Sequence, residues 1–412
     1  MVQNKHFKVL VRQRMAKTGE RYTTARRHLV ASRPIQPVTN GLVPGYPHTG
    51  VGAEAAVSQY DAAMWQRVLA QAGVVNPATN APFSTAMLAG LGGGIGFMFA
   101  TFSYAEITTA TVILRAHPEP YTERLLERTG AIVDRTATTS KRIAATTLEE
   151  ALEASKASVV RVTHGALPWV ASQELEYQDS IDVAVVGKDG DSFVIDGGGR
   201  SLGDEDIETL HRANGTELAQ ARSQRKADKH WAVTVAAGES SPEQLTSSVR
   251  ASIAETTGRL LGTLPLEGIP ASWLSKFGVQ GMRTWADLLR DQRTRKGWPS
   301  LFSDESRLRT GLRMVQDTAA GTRWGGPGGL RGLYADFLEE ASTLPGLNDL
   351  NDVSDAYRKL APLWDAFLDT VDPEMAVDER VAHFEQLAQQ LEELANLEEN
   401  AARTLASVVE HG

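Results

Sequence analysis

The chain has 412 residues, of which 42% are hydrophobic and 23% are charged, and its formal net charge is −9. This composition predicts two or three globular domains, and the negative charge excludes a protein that coats nucleic acid over its whole surface. No cysteine is present, which excludes disulfides, thiolate catalysis and cysteine-ligated zinc or iron–sulfur sites. Since no stretch reaches the ~18 apolar residues of a membrane span, we expect a cytoplasmic protein with no membrane contact, no metal and no cofactor.

The first 33 residues are strongly basic. They contain nine lysines and arginines and a single acidic residue, Glu20, and their apolar residues recur at helical spacing. The pattern predicts a short pair of basic helices. One interpretation is an arm that binds nucleic acid or an acidic partner, and the other is a solvated cap packed on the body. The residues expected to make the contacts of an arm are Lys5, Lys8, Arg12, Arg14, Arg26 and Arg27.

Prolines and glycines from residue 34 to residue 47 predict a linker, so that the first large domain begins at residue 48. The first helix is predicted over Ser58 to Ala72. Ser58 has the position of an N-cap, and Asp61 follows three residues later as in a capping box. Gly73 ends the predicted helix.

Residues 84–104 read STAMLAGLGGGIGFMFATFSY. A short helix over Thr85 to Leu91 is expected to run into a glycine turn and then into a buried aromatic strand. Close packing of the backbone explains the glycines better than a phosphate cradle does, because the strand-then-helix order and the Lys-Ser/Thr pair of nucleotide loops are missing.

The remainder of the first domain, up to residue 238, is predicted to mix strands and helices. Two runs of β-branched residues, 183–186 and 192–195, flank the sequence KDGD and indicate a hairpin. Helices are expected over residues 120–129, 148–154 and 203–221, and a closing strand over residues 231–236.

A second domain, residues 239–376, is predicted to be almost entirely helical, because apolar residues at helical spacing alternate with Gly and Pro. The predicted helices cover residues 244–257, 281–289, 308–319, 330–342 and 353–370.

The C-terminal segment, residues 377–412, is predicted as one amphipathic helix over Val377 to Val409. Its leucine stripe needs an apolar partner surface. We predict a homodimer that buries Leu387, Leu391 and Leu394, while packing on its own domain is the alternative. The acidic side of the helix complements the basic residues 1–33, and it comprises Glu385, Glu392, Glu393, Glu398 and Glu399.

The helix, glycine turn and aromatic strand of residues 84–104 resemble the N-terminal domain of the butirosin-biosynthesis protein H family. Residues 276–302, 321–341 and 356–371 resemble the domain of unknown function that usually follows it, a DUF4872-like domain. The resemblance implies an α+β domain of papain-like (C39-peptidase-like) fold followed by an α-helical domain. It also implies an acyltransferase that moves an aminoacyl group from a carrier protein to an aminoglycoside amine.

The same resemblance implies where the catalytic residues of the family would lie. A cysteine is expected at the start of the first helix, a histidine at the start of a later strand, and an acid on the next strand. The cysteine position falls on Ser58 or Gln59, and the histidine region is Ser180 to Asp182. The acid is present as Asp196, so two of the three positions are lost.

Three hypotheses follow. The first is a non-catalytic binding or scaffold protein whose cleft holds a small molecule or a carrier-protein arm. The second is an acyltransferase or amide hydrolase with a rebuilt site, in which Ser58 is the nucleophile, His164 the base and Asp196 the acid. The third is a nucleic-acid-associated protein docked by residues 1–33. The expected cleft residues are Gly92, Gly93, Gly94, Asp182, Arg331 and Tyr334.

Overall fold

A computed structural model describes residues 41–47, 59–118, 120–170, 179–197, 210–321 and 323–411. They form two compact units, and neither is continuous in the chain. The first unit takes its described residues from 41–49, 134–197 and 208–234, and the second takes them from 50–133 and 235–412. The basic residues 1–33 lie outside the described residues. The domain boundaries placed at residues 48, 238 and 376 stay predictions.

The helices are α1 (Tyr60–Gln71), α2 (Thr85–Leu91), α3 (Tyr121–Arg128), α4 (Lys141–Glu153), α5 (Gly215–Ser223), α6 (Pro242–Leu261), α7 (Gly278–Arg290), α8 (Trp298–Leu301), α9 (Glu305–Ala320), α10 (Arg331–Ala341), α11 (Leu350–Thr370) and α12 (Arg380–His411). The strands are β1 (Val75–Asn76), β2 (Ala81–Pro82), β3 (Ile95–Ser103), β4 (Thr108–Arg115), β5 (Ala131–Thr136), β6 (Ser158–Thr163), β7 (Ser180–Asp189), β8 (Ser192–Asp196), β9 (Leu210–Asn214) and β10 (Ala232–Gly238). The predicted α+β class is confirmed. Each predicted helix from residue 244 onward overlaps an observed one.

A six-stranded sheet has the order β5-β10-β6-β7-β8-β9. Neighbouring strands from β10 to β9 pair antiparallel. The predicted hairpin is confirmed as β7 and β8, and Gly190 adopts a left-handed conformation in its turn, with φ of 60°. The β-branched residues of β6 and β7 are buried, which explains why these strands read as continuous apolar runs.

The last residues of the predicted linker are packed rather than loose. Leu42 forms a β-bridge with Gly187, and the Val43 amide donates to the Val186 carbonyl at 2.8 Å. Tyr46 is only 7% exposed. Residues 41–46 therefore belong to the first unit as an addition to the edge of β7.

One predicted helix is wrong in part. Residues 203–221 were expected to be helical, but Leu210–Asn214 is strand β9, paired with β8, and residues 201–209 lie outside the described residues. The helix α5 begins at Gly215. The Asn214 side chain accepts from the amides of Thr216 and Glu217, and Glu217 bonds back to the Asn214 amide, so a capping box fixes this start.

In the second unit, β3 and β4 form a two-stranded ribbon surrounded by helices. Its aromatic residues Phe97 and Phe99 pack against Trp285 of α7, at ring distances of 6.2 and 6.1 Å. The outer edge of β4 is capped, because Thr318 Oγ1 of α9 accepts from the Val112 amide at 3.0 Å. The ribbon is therefore the core of this unit, as the aromatic run predicts.

The glycine turn before β3 is filled by side chains of the protein. A Cβ at Gly92 would lie 2.1 Å from the Tyr121 ring, and one at Gly94 would lie 2.7 Å from the Tyr334 ring. Gly93 and Gly94 also have φ values of 130° and 65°, which disfavour other residues. The glycines therefore serve close packing.

The leucine stripe of α12 packs within its own chain. Leu387 and Leu391 have no exposed surface and Leu394 is 3% exposed, because α12 lies against α6, α7 and α11. This corrects the argument for a homodimer, since no second copy is needed to bury the stripe. The dimer itself stays a prediction without that support.

Candidate functional site

The start of α1 is the place where the family resemblance puts a nucleophile. The helix begins at Tyr60 and its N-cap is Gln59, one residue after the predicted N-cap position. Ser58 lies outside the described residues. The Gln59 side chain is 1% exposed and makes no capping hydrogen bond.

A buried ion pair occupies the first turn of α1. Arg115 Nη1 donates to Asp61 Oδ2 at 2.8 Å, and the two side chains are 6% and 8% exposed. Burial lowers the pKa of Arg115, but the Asp61 carboxylate, together with Tyr121 and Tyr60, outweighs this effect and leaves the pKa raised. The guanidinium also lies 4.2 Å from the centre of the Tyr121 ring. Arg115 is therefore a firmly charged partner of Asp61.

Asp61 also uses the backbone of the helix. Its Oδ1 accepts from the Ala62 amide at 3.0 Å, so a carboxylate is bonded at the positive end of the helix dipole. Burial raises the pKa of Tyr121 well above its ordinary value, so this hydroxyl stays protonated near neutral pH. An acyl oxyanion at this end would meet a carboxylate rather than open amides.

A small cavity lies beside the glycine turn in the second unit. Its volume is about 10 Å³, which is room for roughly one water molecule. Arg115 and His117 line one side, and Arg259 and Phe277 line the other. A substrate-sized ligand would need a rearrangement of these side chains.

Arg331 and Tyr334, predicted as cleft residues, lie inside the second unit and are 0% and 2% exposed. Arg331 donates to the carboxylate of Glu398 at 2.5 Å and to the carbonyls of Leu114 and Gly96, both at 3.0 Å. A ligand that reached these side chains would have to displace contacts of the protein itself.

The first unit holds the acids predicted on β7 and β8. Asp182 receives two hydrogen bonds from Arg161, at 2.7 and 3.0 Å, across the β6–β7 pair. Arg161 in turn lies 4.4 Å from the centre of the Trp231 ring. The region that the resemblance assigns to a histidine therefore contains a carboxylate bonded to a guanidinium.

Asp196 is fully buried at the end of β8, where Tyr46 Oη donates to its Oδ2 at 2.5 Å. Asp196 pairs with Ala184 in the register, so Asp182 is its diagonal neighbour on the same face, with the Cα atoms ~7–8 Å apart. Sequence reasoning missed both Tyr46 and Arg161. A lone arginine in the apolar strand SVVRVT was the available signal for Arg161.

His164 is not brought to Asp196. It follows β6, whose last residue Thr163 pairs with Ser180, whereas Asp196 pairs with Ala184. The four-residue offset along β7 separates the Cα atoms of His164 and Asp196 by at least ~13 Å. The two side chains are therefore too far apart for a hydrogen bond. The predicted combination of His164 and Asp196 as base and orienting acid is therefore not assembled.

A groove of about 390 Å³ lies on the first unit, and the sequence did not indicate it. Residues 41–44 form one wall, and Glu149, Leu152 and Glu153 of α4 form the other, with Lys188 at its edge. Lys188 Nζ lies 3.4 Å from Glu149. Its mixed charges do not select one class of ligand.

Within the described ranges, no cluster of three or more histidine or acidic side chains is arranged to hold a metal ion. Over the same residues, no helix combines the length and apolar character that a membrane crossing requires.

Two family models match the chain in the order that the sequence predicted. Butirosin biosynthesis protein H, N-terminal, matches residues 60–197, and a domain of unknown function, DUF4872, matches residues 216–405. Each of the two models covers less than half of the chain. The first match falls on the α+β part of the chain, and the second falls mainly on its helical part. Ser58 and Gln59 precede the matched residues, and no curated protein matches the chain.

Proposed function

We propose that this protein is a non-catalytic member of a butirosin-H-like acyltransferase family and acts as a binding or scaffold protein. The observation that carries the proposal is the buried ion pair at the start of α1. Asp61 accepts from Arg115 at 2.8 Å and from a helix amide at 3.0 Å, so this end of the helix is already bonded to an anion. The chain also offers no thiol as nucleophile.

The β7–β8 region supports the same proposal. Asp196, at the position that the resemblance gives to the orienting acid, accepts a hydrogen bond from the Tyr46 hydroxyl. In the histidine region Ser180 donates to Asp228 at 2.5 Å and Asp182 is bonded to Arg161. Each polar group there is engaged with the protein itself. The family implies a small molecule or a carrier-protein arm as the bound group.

The decisive experiment exposes the purified protein to an aminoacyl thioester and measures the intact mass. We expect no covalent adduct and no acyl transfer to an amine above the background rate, since the chain has no thiol to act as the nucleophile of this family. An adduct would overturn the proposal.

Two variants make the result specific. Ser58→Ala tests the rebuilt serine site, and Ser272→Ala is its control at an exposed serine of the second unit. An adduct that is lost in Ser58→Ala and kept in Ser272→Ala would establish the serine enzyme instead. An adduct that survives both variants would exclude the non-catalytic role and the serine site together.

A further inference from the structure

The outer end of the β3–β4 ribbon carries exposed apolar side chains. Phe102 is 40%, Tyr104 is 57% and Leu274 is 46% exposed, and they are three of the seven large hydrophobic side chains exposed among the described residues. Trp273 packs beside Phe102 with a ring distance of 5.6 Å. Such a concentration on one end of a unit is typical of an interaction surface.

Cations border this surface. Lys276 Nζ lies 4.0 Å from the centre of the Trp273 ring and 6.0 Å from that of Phe102. Burial, and then the positive charge of Lys296, lower the pKa of Lys276, so the two ammonium groups act on each other. Within the described part of the chain, no ion pair to a carboxylate is formed by either lysine. Their charges are therefore available to an anionic partner.

We propose that this aromatic and basic surface docks an acidic, amphipathic segment of a partner protein. The surface is formed by Phe102, Tyr104, Trp273, Leu274, Lys276 and Lys296. The inference rests on the proposed binding role and gives it a location and a class of partner. The apolar side chains would bury the apolar face of the segment, and the lysines would meet its carboxylates.

The chemistry of the surface favours protein over nucleic acid. A single strand needs open aromatic faces on which bases stack, whereas the Trp273 ring is covered by Lys276 and approached by Phe102. Leu274 offers no stacking face at all. Residues 1–33 of the chain itself are also unsuited to bind this surface, because they are basic and the surface is basic too.

The test is fluorescence anisotropy with the full-length protein and a labelled synthetic peptide that has leucines on one helical face and glutamates on the other. A peptide of the same composition in scrambled order controls for charge alone. We expect the amphipathic peptide to bind. Added salt should lower its affinity, because salt screens the attraction between the lysines and the glutamates of the peptide. Equal binding of the scrambled peptide, or no binding of either, would refute the docking surface.

Two double variants locate the binding. One double variant is Lys276→Glu with Lys296→Glu, and the other is Phe102→Ser with Leu274→Ser. We expect each to lower the affinity for the peptide by about ten-fold or more, roughly the size of one lost hot-spot contact. The matched control is Lys226→Glu with Lys359→Glu, which changes the net charge equally at exposed positions elsewhere and should leave affinity within about two-fold. Loss of binding in the control would refute the proposed location.

Two further outcomes would replace the proposed partner. A single-stranded oligonucleotide that binds more tightly than the peptide and is lost in the lysine variant would assign the surface to nucleic acid. If light scattering shows a dimer, and the double variant Phe102→Ser with Leu274→Ser is a monomer, the surface would be assigned to contact with a second copy of the chain. The thioester experiment is separate from both, so failure of peptide binding leaves the non-catalytic role standing.

Discussion

Two glutamates six residues apart on α12 have opposite surroundings. Glu398 has no exposed surface and accepts from Arg331 at 2.5 Å and from Trp364 Nε1 at 2.8 Å. Glu392 has a side chain that is 45% exposed and is bonded to Arg290 on the surface, with one of the two contacts at 3.1 Å. One helix therefore carries both a buried and an exposed ion pair.

The buried pair acts over a longer range than the exposed one. Arg331 reaches from α10 to Glu398 and also donates to the carbonyls of Gly96 and Leu114, which lie on the two strands at the same end of the ribbon. Leu114 directly precedes Arg115, which holds Asp61 at the start of α1. The buried pair of Glu398 and Arg331 therefore fixes the geometry around the candidate site, whereas the exposed charges of α12 lie at the margin of the fold.

The largest effect is expected from charge on the buried side of α12. Leu391→Asp with Leu394→Asp places two carboxylates among side chains that are 0% and 3% exposed, and we expect a loss of at least ~4 kcal/mol in the free energy of unfolding. Urea denaturation measures it. Leu397→Asp, at a 43% exposed position of the same helix, is the control and should stay folded.

The homodimer hypothesis makes the opposite prediction for the double aspartate variant. If the stripe pairs with a second copy, the variant is a folded monomer and the parent a dimer in light scattering. That result would show that the leucine stripe mediates association between two chains, and it would contradict the packing of the stripe within its own chain.

Next in size is removal of Arg331. Arg331→Met leaves Glu398 buried and unpaired, which costs about 3–5 kcal/mol in chemical denaturation. The additional change Glu398→Gln should restore part of this loss, because it removes the uncompensated charge. Arg290→Met is the surface control. An equal loss in the two arginine variants would remove the distinction between the two sides of α12.

A smaller, pH-dependent effect is expected from His383 near the start of α12. Burial lowers its pKa below the ordinary 6.5, and Asp372 only partly opposes this shift. The unfolded chain therefore takes up the proton first as the pH falls below 6.5, and stability is lost from there down to the lower folded pKa.

His383→Gln tests this contribution. The variant should lose less stability than the parent when the pH falls from 7 to 5, as measured by urea denaturation at each pH. A residual slope is expected, because burial lowers the pKa of His230 as well. An unchanged slope would contradict a buried, neutral His383.

Local patterns predicted much of the fold. The glycine turn and the KDGD hairpin depend on backbone conformations that few residues adopt, and both are found where the sequence placed them. The strand Leu210–Asn214 was missed because its pairing with β8 overrides the helical spacing of its own residues. Gln59 rather than Ser58 at the N-cap is a shift of one residue, a usual uncertainty of helix ends.

The candidate site was harder to predict, because its partners are distant in the sequence. The sequence around Asp61 does not indicate that Arg115 is its partner, and the sequence around Asp196 does not indicate Tyr46. Glu398 is different. It lies four residues after Leu394 and seven before Leu405, on the apolar stripe, so its burial was readable from spacing although it was assigned to the acidic face.

The smallest effect is expected at the exposed pair. Glu392→Gln removes one of the two glutamates around Arg290, and Glu385 still accepts from Arg290 Nε at 2.9 Å. Because the side chains are 28–47% exposed and solvent screens them, the change should stay within ~0.5 kcal/mol in urea denaturation and shrink further with added salt. A loss comparable to that of Arg331→Met would mean that Arg290 couples to the core of the unit, because screened charges alone do not supply such a free energy.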